Sequence, residues 1–131
     1  MGGFSDFQES GGSGGGKMGQ GDFVTSSASG PSLSIDLDSG FYQEITLTGN
    51  ITNAISFTNT PGSGEGKSVI IDFVQDGSGS RTVNFGSILF DSGIGPTLTT
   101  TANRTDRIAF DFTNDGSGLI TYGHVIGLDM T

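Results

Sequence analysis

From Ser32 onward the spacing of apolar side chains is two almost everywhere outside the turns, and this spacing constrains the chain more than any other feature. Leu33, Ile35 and Leu37 alternate with Ser34 and Asp36, and Ile45 and Leu47 alternate with Thr46 and Thr48. Successive side chains of an extended strand point to opposite faces, so a period of two marks a strand with one face buried. No window carries the three- and four-residue spacing of a helix over a useful length. Further runs of strand character lie at 51–57, 67–75, 81–85, 87–90, 97–101, 106–113 and 119–125. In the second of these, Val69, Ile71 and Phe73 form one face while Ile70 and Val74 make the other apolar as well, which predicts a central strand covered on both sides. Ile108, Phe110 and Phe112 repeat the pattern more weakly, with Ala109 and Asp111 opposite.

Turn residues separate these runs. The chain holds 24 glycines in 131 residues, far above the usual level of about 7%, and nine of them stand in the turn stretches 61–66, 76–79, 91–93, 95–96 and 115–118. The stretches at Asp76 and Asp115 both read Asp-Gly-Ser-Gly directly after a strand, which predicts two similar hairpins. The expected fold is all-β: a single β-sandwich or jelly-roll-like domain over residues 32–131, with about eight or nine short antiparallel strands. The length leaves room for one domain. With no cysteine, disulfides, thiolate nucleophiles and the usual structural zinc sites are excluded together.

The first 31 residues differ in kind and read as an extended arm. Residues 11–21, GGSGGGKMGQG, have the composition of a flexible Gly/Ser coil. Yet the arm carries Phe4, Phe7, Met18, Phe23 and Val24, large apolar groups that a plain spacer does not need. They read as anchors for a partner surface, since a segment that orders on binding can wrap a large area. The other reading is that Phe23 and Val24 lead into the first strand and that Phe4 and Phe7 fold back on their own domain.

Fourteen acidic against five basic residues give a formal charge of −9, so contact with a phosphate backbone runs against the field of the whole protein, and no nucleic-acid partner is expected. No stretch approaches the ~20 apolar residues of a membrane span, and the start of the chain lacks the basic and apolar regions of a signal peptide, so neither a membrane nor secretion is expected. Gly62-Ser63-Gly64-Glu65-Gly66-Lys67-Ser68 approximates a phosphate-binding loop, but Pro61 stands where its first glycine belongs and a strand follows where a helix is required. Asp111 to Gly116 begins like a calcium loop, but Tyr122 stands where its last carboxylate belongs, and the Asp76 and Asp115 turns remain only looser oxygen-ligand candidates. His124 is the sole histidine, so any Ser-His-Asp triad has to be built around it, and no nucleophile-elbow context is present. Asp72, Asp106 and Asp111 could face one another across strands as a glycosidase pair, though nothing places them in a cleft. No catalytic residue, metal ligand or cofactor is assigned, and the chain is read as non-enzymatic.

One pattern goes further. Gln75-Asp76-Gly77-Ser78-Gly79-Ser80-Arg81-Thr82-Val83-Asn84-Phe85, then Pro96-Thr97-Leu98-Thr99-Thr100-Thr101-Ala102-Asn103 and Asp106-Arg107-Ile108-Ala109-Phe110, with Leu47-Thr48-Gly49-Asn50 upstream, resembles a surface β-sandwich domain of tailed-bacteriophage virion proteins, such as tail fibres. The resemblance covers about residues 32–123, with Phe85 where the family usually has tryptophan. It implies a structural domain on the outside of a virion, assembled in the host cytoplasm, with no catalytic residues. Joined to the arm, it leads to the expectation of a capsid decoration (cement) protein that binds the major capsid protein and forms a homo-oligomer, with three-fold symmetry the first guess. A short tail or head fibre is the alternative. A carbohydrate-binding module, using Phe41, Tyr42, Phe90 or Tyr122, is a further one.

Overall fold

The computed structural model describes residues 21–131. Among the described residues seven strands form: β1 (Phe23–Ala28), β2 (Ser34–Asp36), β3 (Tyr42–Leu47), β4 (Ser56–Thr58), β5 (Glu65–Gln75), β6 (Thr105–Asn114) and β7 (Leu119–Met130). There is no α-helix among the described residues, and a single 3-10 turn lies at Asp91–Gly93. Five strands make one sheet in the order β1-β3-β5-β6-β7, and β2 and β4 make a small second sheet.

The sheet is mixed, which corrects the expectation of antiparallel strands throughout. β1 runs parallel to β3, β3 parallel to β5, and β2 parallel to β4, whereas β5–β6 and β6–β7 are antiparallel. Parallel neighbours need a crossover, which a helix usually provides. Here the chain passes through β2 between β1 and β3, and through β4 between β3 and β5. The two short strands are therefore the crossover connections themselves.

Within the stretch read as an arm, Phe23–Ala28 is an edge strand of the large sheet. The predicted strands at 81–85, 87–90 and 97–101 are mostly irregular, and only Val83 and Leu89 make isolated bridges, to Ile51 and Tyr122. Of the two predicted hairpins, only Asp115–Gly118 is one, joining β6 to β7. The Asp76 turn instead opens the long connection that carries the chain from β5 round to β6.

β5 lies at the centre of the sheet, as its apolar run predicts. One face is covered across the three inner strands: Ile45 and Leu47 of β3, Val69, Ile71 and Phe73 of β5, and Ile108, Phe110 and Phe112 of β6 are all buried. On the other face Ile70 and Val74 are half-buried and Ser68 is exposed, so the expected second cover is incomplete. The inner face packs against Ile35, Leu37, Ile51, Ile55, Phe85, Phe90 and Leu98. Phe57 of β4 meets Phe110 and Phe112 at ring separations of 5.3 and 4.8 Å, and Phe85 meets Phe73 edge-on at 5.9 Å, geometries that add to plain burial.

Three buried polar side chains fasten the irregular connections to this sheet. Gln75 donates to the carbonyls of Arg81 and Thr99, both at 2.8 Å, and accepts from the Arg81 amide at 2.9 Å. Asp106 accepts from the amide and hydroxyl of Thr99 at 2.6 and 2.8 Å and from the Asp129 amide at 2.7 Å. Gln43 donates to the carbonyls of Asp36 and Gly40 at 2.8 and 3.1 Å. Backbone groups that a regular strand would pair are satisfied here by side chains, which is why those segments bury Phe85 and Leu98 without forming strands.

Candidate functional site

Gly21 and Asp22 lead into the sheet at β1. The Asp22 carbonyl accepts from the Tyr42 amide at 3.1 Å, and Gly21 lies so close to Phe41 that a Cβ there would fall 2.4 Å from the Phe41 Cβ. The chain is thus held at the start of β3. Phe41 and Tyr42 meet edge-on at 4.9 Å beside this junction. Of the predicted anchors, Phe23 is 59% exposed and Val24 is half-buried, both on β1. Phe4, Phe7 and Met18 lie outside the described residues.

The outer face of the sheet carries polar groups in register. Ser68, Asp111 and Tyr122 stand opposite one another across β5, β6 and β7. The Ser68 hydroxyl donates to one Asp111 oxygen, and His124 Nε2 lies 2.9 Å from the other. The carboxylate therefore sits between serine and histidine, whereas acyl-transfer chemistry requires the imidazole in the middle. Further along, Arg107 donates a bidentate pair of hydrogen bonds to Asp72 at 2.7 and 2.8 Å, and these bonds to the Asp72 carboxylate hold the guanidinium pKa above its ordinary value.

The three candidate carboxylates are not brought together. Asp106 points into the core, on the opposite face from Asp72 and Asp111. Asp72 lies four residues along β5 from Ser68, the cross-strand partner of Asp111, a separation of about 13 Å that exceeds the ~5–9.5 Å of glycosidase pairs. The oxygen-ligand candidates are likewise engaged: Asp76 takes the Arg81 guanidinium and the amides of Ser78 and Gly79, and Asp115 accepts from the Ser117 amide at 2.9 Å. No group of three metal-ligating side chains occurs among the described residues. Lys67 of the loop that approximates a phosphate site pairs with Asp38 at 3.1 Å and donates to the Asn59 carbonyl.

The aromatic residues considered for sugar binding do not share a platform. Phe90 is buried against Phe85, Tyr122 is on β7, and Phe41 and Tyr42 stand three strands away from it. The motif that carries the resemblance to virion domains proves to be a set of folding contacts, since Gln75, Asp76, Arg81, Thr99 and Asp106 are the fastening residues described above. Sequence reasoning missed the exposure of β7. Leu119, Ile120, Val125, Ile126 and Leu128 crowd both faces of that strand, and the sequence signal was the loss of apolar-polar alternation.

The Asp76–Arg81 contact has a pH signature. The Arg81 hydrogen bonds hold the Asp76 carboxyl below its ordinary value, and the Asn59 side chain does the same for Asp36. A carboxylate whose pKa is lowered by folding stabilises the fold in full above the unfolded value, near pH 4, and loses that contribution as pH falls through the folded value. The urea midpoint is therefore expected to fall below about pH 4, and less steeply in Asp76→Asn. Equal slopes for the two proteins in urea titrations across this range would show that the pair adds nothing.

Compared with known proteins, the chain matches no family model, no curated protein and no solved structure.

Proposed function

We propose that this chain is a non-enzymatic structural protein of a bacteriophage virion, and that it decorates the assembled capsid through its N-terminal arm. The finer architecture proposed is a β-sandwich, with the β2–β4 sheet and the fastened connections as its second layer. The observation that carries the reading is the junction at β1. Gly21 and Asp22 lead directly into an edge strand of the five-stranded sheet, and Phe23 is exposed at that edge. Tension on the arm would pass to the backbone ladder between β1 and β3. Phe4, Phe7 and Met18 supply apolar anchors, and buried aromatics are the side chains that dominate interface energetics. A protein that binds only the closed shell stabilises it by mass action, each occupied site adding free energy against disassembly.

The test compares the whole chain with a variant lacking residues 1–20 and with Phe4→Ala/Phe7→Ala, each cosedimented with preassembled shells. Retention is expected to fall by about tenfold or more in both variants, with far-ultraviolet circular dichroism unchanged. Full retention of the truncated chain would overturn the decoration reading. Binding of residues 21–131 to host cells would move the protein to a fibre.

A further inference from the structure

Among the described residues, ten large apolar side chains are exposed, and nine of them lie on β7 or on the Leu89–Ile94 segment. Seven belong to β7 itself, each 39–50% exposed. They project from both faces of the strand, because β7 is the sheet edge and the inner cover reaches it mainly through Phe90, which sits on Gly123.

The backbone of this edge is poorly suited to accept another strand. Leu89 already donates to the Thr121 carbonyl at 3.0 Å and accepts from the Gly123 amide at 2.9 Å. Beyond it, register shifts on either side of Arg107 give β7 extra residues, and Asp129 has a positive φ of 52°. Plugs and bulges of this kind prevent edge-to-edge ladder pairing. They leave the side chains uncovered, so what the surface fits is side-chain packing against another apolar surface.

We infer that β7 is a self-association surface, on which a second copy of this chain packs its own β7 about a two-fold axis near Ile126. Two observations favour a second copy as the occupant. The first is charge. The chain as a whole carries −9, yet Asp129 is paired with Arg104 at 2.6 Å and His124 contacts Asp111. Two β7 strands can therefore meet without opposing unpaired carboxylates on that strand. The second is area. Seven half-exposed large side chains present on the order of several hundred Å² of apolar surface, at the upper end for a monomer. Covering this on both copies approaches the roughly 1,200 Å² at which specific association begins. The surface lies at the far edge of the sheet from β1, about 19 Å across four strand spacings, so it does not depend on the arm.

Sedimentation equilibrium of the whole chain tests this, alongside Ile126→Asp and Leu128→Asp. The wild type is expected to dimerise more strongly as salt is added, because screening removes the repulsion between two acidic chains while apolar burial persists. Either substitution is expected to weaken the dimer by about tenfold or more. Both positions are exposed, and circular dichroism confirms that the variants fold. Because the chain has no cysteine, Ile126→Cys provides a second readout: mild oxidation should give a covalent dimer, while Ser26→Cys on β1 should give far less. A monomer at all concentrations, a trimer, or a dimer untouched by both aspartates would overturn the inference. Deletion of residues 1–20 should leave the dimer intact, so this outcome is separable from failure of the decoration reading.

Discussion

Asp106→Ala is expected to destabilise the domain by about 2–3 kcal/mol, because it leaves three part-buried donors without their acceptor at once. The carboxylate is 2% exposed and accepts from the Thr99 amide, the Thr99 hydroxyl and the Asp129 amide. A buried donor left without a partner costs about 1–3 kcal/mol, and relaxation toward water keeps the total below the simple sum. Asp106→Asn separates geometry from charge. The amide keeps one acceptor oxygen but turns an NH₂ group toward a donor, so it should recover part of the loss and no more. Urea midpoints measured on both variants decide the matter. A loss below about 1 kcal/mol in Asp106→Ala would mean that the Thr99 segment is held by the packing of Leu98 rather than by this carboxylate.

Gly123→Val should have an effect of similar size for the opposite reason, excess volume. A Cβ at this position would lie 2.3, 2.6 and 2.8 Å from three carbons of the Phe90 ring. The ring cannot retreat freely, since it is buried and meets Phe85 edge-on at 5.4 Å. Overpacking in such a site costs typically about 1–3 kcal/mol, and a branched side chain belongs at the top of that range. Gly123→Ala should cost less, and its cost should vanish or change sign in a Phe90→Ala background, where the added methyl enters the space the ring has left. Thermal unfolding of the four proteins in this double-mutant cycle reads the coupling directly. Additive losses would show that the ring and the glycine are energetically independent.

The strands richest in apolar residues were legible from their pattern. Val69, Ile71 and Phe73 announced a central strand, and Ile108, Phe110 and Phe112 announced its neighbour. What period-two alternation could not reveal was the partner or direction of each strand, because the same alternation fits parallel and antiparallel ladders. The parallel β1–β3–β5 arrangement was missed on that account. The Asp76 and Asp115 turns were indistinguishable locally, and what separates them is the use made of the residue before each. Asn114 pairs with Leu119 in a hairpin, whereas the Gln75 side chain reaches across to Arg81 and Thr99 and sends the chain elsewhere. At the candidate site, the exposed Phe23 was visible as an unexplained aromatic residue. β7 was recognised as a strand but not as an uncovered one, since periodicity reports which residues want burial and not whether a second layer reaches them.

The parallel windings also govern how fast this chain can reach its fold. The partners Phe23 and Tyr42, Ser34 and Ser56, and Tyr42 and Ile70 are all distant in sequence, and β5 meets β6 across the whole connection from Asp76 to Arg104. Each such pairing closes a long loop before any contact rewards it, the circumstance that slows folding into the millisecond-to-second range. Among the described residues the β6–β7 hairpin is the one pairing made through a short turn, so it is expected to form first, and φ-values near one for its cross-strand pairs would show that it does.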